Sequence, residues 1–156
     1  MNTREQSIQL INTQTDNGKM VRIFEDEKKS KLVVSGWAAF TMIFALAGAF
    51  ADYWSNAGIW ASGIHFSWVG WVKAFQVISW IGIAGAGALG FMKIFKFAMM
   101  CFLGATVSLL VAFAIEYGKV PSGFSSGPAP PLLVTACCFS AFGAGLAFMA
   151  HRAQDN

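Results

Sequence analysis

A four-helix bundle that spans a membrane, all-α and with both termini cytosolic, is the fold class this sequence predicts. Three observations carry that expectation. Of 156 residues, 56% are hydrophobic and only 12% charged, with a mean hydropathy of +0.54, whereas a soluble domain carries about 25% charged residues. Between Leu32 and Ala150, formal charge is confined to Asp52, Lys73, Lys93, Lys96, Glu116 and Lys119. These charges separate four apolar runs, each near the ~20 residues that cross a hydrocarbon core of ~30 Å at 1.5 Å rise per residue. A net charge of +3 on such a chain bears on orientation in a bilayer, and a nucleic-acid partner is not expected.

Residues 1–31 read as a polar cytosolic tail of mixed charge. The tail shows no apolar stretch followed by a small-residue cleavage site, so no removable signal peptide is expected and the first span itself serves as the targeting signal. Lys28, Lys29 and Lys31 stand directly before that span. Such a cluster attracts anionic headgroups by about 1 kcal/mol per basic residue, but Glu25, Asp26 and Glu27 offset it, leaving a stop-and-orient signal. The bundle is expected over residues 32–150, with spans at about 32–51, 72–92, 97–115 and 132–150, and a short cytosolic tail at 151–156. The link Lys93-Ile-Phe-Lys96 between the second and third spans reads as a tight turn. Residues 119–131 are too rich in Pro and Gly for strand or helix.

Orientation follows from basic residues in short loops. With termini inside, Arg4, Lys19, Arg22, Lys28, Lys29, Lys31, Lys93, Lys96 and Arg152 lie on the cytosolic side, and Lys73 and Lys119 on the other. Small residues recur at helical spacing in every span. Gly82, Ala86 and Gly90 form one stripe, Gly104, Ser108 and Ala112 a second, Ala136, Ser140 and Ala144 a third, and Thr41, Ala45 and Ala49 a fourth. Such stripes let helix backbones approach closely, which drives packing where lipid supplies no hydrophobic force. A compact left-handed bundle is one product and association between copies another.

The stretch from Asp52 to Gln76 holds four of the six tryptophans, Trp54, Trp60, Trp68 and Trp71. Indole rings gather at headgroup depth because the ring is apolar and its N–H wants a polar partner. A short loop of this kind hugs the membrane face. Two readings stand for these rings, an aromatic belt and a contact surface built on anchors that bury much area with few rotors. Asp52, Lys73 and Glu116 each sit at the outer end of a different span, where opposite charges either pair or reach separately to water. Gln76, one turn inside Lys73, is placed to hydrogen-bond between helices.

Nothing in the chain assembles a reaction centre. His65 and His151 fall on opposite sides, and Cys101, Cys137 and Cys138 lie within apolar runs, where thiols serve as small packing residues, with palmitoylation or a redox role the alternative. Coupled transporters and pumps need ionisable groups inside the membrane. No catalytic residue, metal ligand or cofactor is expected.

Trp54 followed by Gly58-Ile59-Trp60, the span opening Trp71-Val-Lys73-Ala-Phe-Gln76-Val-Ile-Ser, and the span close Leu89-Gly-Phe-Met-Lys93 together resemble the four-span superfamily of claudins, peripheral myelin protein and epithelial membrane proteins. The family's outer loop opens with a Trp and a Gly-Leu-Trp, followed by two cysteines. Here Gly63 stands at the first cysteine position, the second has no counterpart, and the loop is far shorter, so the extracellular sheet of claudins is not expected. The resemblance covers residues 32–150. It implies a structural protein of the plasma membrane that organises cell–cell contact or membrane domains through lateral and loop contacts. Accessory subunit of an ion channel or receptor is the alternative, and a small pore or transporter a third. The implied partners are the bilayer, a second copy, or another membrane protein of the channel or junction kind.

Overall fold

The structure, a computed structural model, describes residues 27–51, 60, 67–119 and 128–155. Among these, every element is a helix: α1 (Glu27–Phe50), α2 (Ser67–Phe91), α3 (Phe95–Lys119) and α4 (Ala129–Asp155). Each is long and apolar enough to cross a membrane, and the chain is a multi-pass membrane protein. The residues Asp52, Trp54, Gly58, Ile59 and Gly63 singled out in the sequence lie outside the described residues.

The helices run past the expected spans at several ends. Their 24 to 27 residues correspond to roughly 36–40 Å at 1.5 Å per residue, more than the ~30 Å of a hydrocarbon core. The first helix takes in residues 27–31, assigned above to the tail. The fourth begins at Ala129, so Pro130 and Pro131 are helical, contrary to the reading of residues 119–131 as a helix-free link. Proline is tolerated there because the first turn needs no donor and the ring's fixed φ suits a helix.

The turn between α2 and α3 is very short. Lys93 adopts φ 65°, its N–H donates to the Gly90 carbonyl at 3.1 Å and the Ile94 N–H to the Leu89 carbonyl at 2.8 Å. These are the two reversed bonds that close a helix through a left-handed residue. Phe95 then starts α3, one residue earlier than Lys96.

Each helix packs against its two neighbours in the ring α1–α2–α3–α4, and at least one side-chain hydrogen bond stitches each seam. Ser35 Oγ donates to the Gly87 carbonyl across α1–α2 at 2.9 Å, and Gln76 Nε2 to Glu116 across α2–α3 at 3.0 Å. Ser140 Oγ donates to the Phe102 carbonyl across α3–α4 at 2.9 Å. Trp37 Nε1 donates to the Phe139 carbonyl across α1–α4 at 2.7 Å, amid the rings of Phe40, Phe139 and Phe142.

The interior is built from alanines at the crossings, with Phe95, Phe102, Ile83, Leu109 and Leu133 filling the space between them. Large apolar residues such as Ile43, Ile81, Phe97 and Val107 point outward. In water that arrangement would be an aggregation liability. In lipid it is what packing by small residues produces, because tails are as apolar as Leu.

Candidate functional site

At the end of the bundle that carries Trp60, a second apolar cluster sits apart from the main core. It is built from Val69, Val72, Ala112 and Ala129, with Ala51, Trp60, Trp68, Phe75 and Ile115 packed against it. Gln76 faces the same direction as Val69 and Val72 because residues three or four apart share one side of a helix. Glu116 lies one turn beyond Ala112 on α3 for the same reason. Both side chains are buried, Gln76 at 1% exposure and Glu116 at 0%.

The polar groups form a chain. Trp60 Nε1 donates to Gln76 Oε1 at 2.5 Å, and Gln76 Nε2 donates to Glu116 Oε1 at 3.0 Å. The amide of Gln76 can do this because it offers an acceptor on one side and donors on the other. Glu116 Oε2 and the Trp80 indole N–H are buried with no hydrogen-bond partner among the described residues. Lys73, one turn from Gln76, holds its ammonium 5.3 Å over the Trp60 ring, a placement worth about 0.5–2 kcal/mol. Trp60 also packs on Trp80 with centroids 5.2 Å apart and on Phe50 at 6.2 Å.

One loop residue is thereby held directly by two helices, and a third helix holds its hydrogen-bond partner. Phe50 belongs to α1; Lys73, Gln76 and Trp80 belong to α2; and Glu116 belongs to α3. The first two supply ring contact, cation and hydrogen bond to a single indole, and Glu116 accepts from the amide that holds it.

Of the three rim charges, Lys73 and Glu116 lie within the described residues and Asp52 outside them. Lys73 engages a ring, and Glu116 turns inward to accept from an amide instead of reaching water. The reason is helix rotation: position 116 continues the buried series Ala98, Phe102, Ala105, Leu109, Ala112. The small-residue stripe of α2 serves two seams. A Cβ on Gly82 would stand 3.1 Å from the Cβ of Ala105 on α3, and one on Gly90 would stand 2.6 Å from Val34 Cγ1 on α1. Ala86 between them is fully buried. Ser108 is buried at 8% exposure.

Gly104 departs from the expected packing role. It is exposed, and a Cβ there would meet nothing within 4 Å. Position 104 falls between the buried positions 102 and 105, off the stripe that faces the neighbours. The importance of Trp80 was not legible in the sequence, since an apolar span hides one more aromatic residue; its four-residue distance from Gln76 is the only sign.

Comparison with protein-family models, with curated proteins and with solved structures finds no match to this chain.

Proposed function

We propose that this protein is a structural membrane protein whose aromatic loop, clamped to the bundle end through Trp60, presents a contact surface to another membrane protein or a second copy. Such a part is played by the claudin-like four-span proteins that its loop motif resembles, which organise cell–cell contact or membrane domains at the plasma membrane. The observation that carries this reading is the clamp on Trp60 from Phe50, Lys73, Gln76 and Trp80. A belt residue needs only the headgroup layer, whereas this indole is held by a buried amide that is itself held by a buried carboxyl group. Such anchoring fixes a short loop without a disulfide and lowers the ordering cost of binding. The bundle interior, filled by Phe95, Phe102, Ile83, Leu109 and Leu133, favours an interaction protein over a pore.

In this reading Trp60 is a structural anchor, and Ile59, Ile64 and Phe66, which lie outside the described residues, touch the partner. Trp60→Ala is expected to reduce folding yield and surface delivery. Ile64→Ala is expected to leave delivery intact and weaken association, measured by surface labelling and by co-purification in mild detergent. Normal delivery of Trp60→Ala with loss of binding alone would reverse the two roles. Indifference of both properties to both changes would reduce the loop to an aromatic belt. A co-purifying channel or receptor, in place of self-association, would make the chain an accessory subunit.

A further inference from the structure

Along the α1–α2 seam, a cleft of about 260 Å³ is lined by Ser35, Ala38, Ala39 and Met42 on α1 and by Ile83, Ala84, Gly87 and Ala88 on α2. The one hydroxyl in that lining is already spent on the Gly87 carbonyl, so the cleft offers apolar surface to its occupant. The volume falls below the ~300–1,000 Å³ of sites for drug-sized molecules and suits a flexible hydrocarbon chain.

One end of the cleft is basic. Lys31 stands one turn before Ser35 on the same side of α1, and its ammonium lies 4.8 Å over the ring of Phe91, one turn beyond Gly87 and Ala88 on α2. Among the described residues, the same end of the bundle also carries Lys28, Lys29, Lys93, Lys96 and Arg152. The long Lys31 stem along an apolar ring, with its charge at the helix end, is the posture of a lysine reaching the headgroup layer.

We propose that this cleft docks an anionic glycerophospholipid of the surrounding bilayer, with one acyl chain against the alanine and glycine lining and the phosphate-bearing headgroup on Lys31. Two features select the occupant together. Apolar lining inside a membrane takes hydrocarbon, gaining dispersion contacts over a surface where small side chains leave room. The lysine at its mouth discriminates by charge among lipids whose tails are alike. A neutral lipid has the tail alone, and a soluble anion has the charge alone.

The test uses the full chain in mild detergent, equilibrated with equal amounts of phosphatidylserine and phosphatidylcholine, with retained lipid counted by native mass spectrometry. One lysine at the surface corresponds to about a fivefold preference for the anionic lipid. Lys31→Gln is expected to bring the ratio close to one. Lys96→Gln, on the same end but on α3, is expected to leave it unchanged. Ala39→Leu with Ala84→Leu, which fills the cleft, is expected to lose retained lipid with Lys31 still present.

A cleft that keeps its alanine and glycine lining is probed separately by benzoylphenylalanine in place of Met42, which must crosslink phosphatidylserine in preference to phosphatidylcholine. This readout stands even if the double leucine variant loses its helicity. Equal retention of the two lipids by the unmodified chain would overturn the proposal. So would an effect of Lys96→Gln matching that of Lys31→Gln, or undiminished retention by a folded double variant. Crosslinking from position 42 to a second copy in place of lipid would overturn it too.

Discussion

Gln76 holds the site together at the scale of single residues, because it answers Trp60 with its carbonyl and Glu116 with its amide protons. Replacing it by Leu removes the partner of a part-buried indole N–H and of a buried carboxyl oxygen. Each orphaned group costs about 1–3 kcal/mol. Glu116→Gln retains a carbonyl that can accept from Gln76, and its change in shape is slight. Gln76→Leu is therefore expected to lower the thermal midpoint in detergent clearly, and Glu116→Gln much less, both followed by tryptophan fluorescence. Equal effects of the two changes would mean that the relay contributes no more than its parts. The emission of Trp60 and Trp80 offers a local signal, since both rings pack at this end.

The helices meet through glycine and alanine contacts whose tolerance differs from place to place. At Gly90 a methyl group would sit 2.6 Å from Val34 Cγ1 and 3.2 Å from Val34 Cβ. The β-branched neighbour is stiff at χ1 and cannot simply turn aside, so α1 and α2 must part. At Gly104 the added methyl meets open space and removes backbone freedom that glycine gives the unfolded chain. Gly90→Ala is expected to destabilise the bundle by about 1–3 kcal/mol, the usual cost of overpacking. Gly104→Ala is expected to be neutral or to stabilise by up to about 1 kcal/mol. Detergent unfolding of the pair checks the contrast, and a destabilised Gly104→Ala would place that face in an interface between copies.

For the whole molecule, the distribution of charge between its two ends governs how it sits in the bilayer. Among the described residues, Lys28, Lys29, Lys31, Lys93, Lys96 and Arg152 stand at one end and Lys73 and Lys119 at the other. By the positive-inside rule the first end, where α1 begins and α4 ends, is expected to face the cytosol. A cysteine introduced at Ser125 is then expected to react with an impermeant reagent on intact cells, and one at Ser7 to remain protected. The reverse pattern would turn the protein over and put the Trp60 end inside, where it could not meet a neighbouring cell. The lipid proposed for the α1–α2 cleft would in that case belong to the opposite leaflet.

That the described residues form four helices long and apolar enough to cross a membrane was legible from sequence alone. In hydrocarbon every backbone polar group must be satisfied within the segment that crosses, so run length and the positions of charges decide each span locally. The stripes at Thr41, Ala45 and Ala49 and at Ala136, Ser140 and Ala144, all buried, were legible too, since close approach needs small residues. The direction each helix faces was harder to read. These spans are apolar around their whole circumference, so hydropathy does not mark the inward side, and Gly104 and Ser108 look alike in sequence while one is open and the other buried. Helix rotation turned Glu116 inward, and the axial offset of α2 against α3 brought Gln76 level with it. The packing of α1, α2 and α3 then set Phe50, Trp80 and the relay around one indole. Those are long-range relations among helices, and only the tertiary structure decided them.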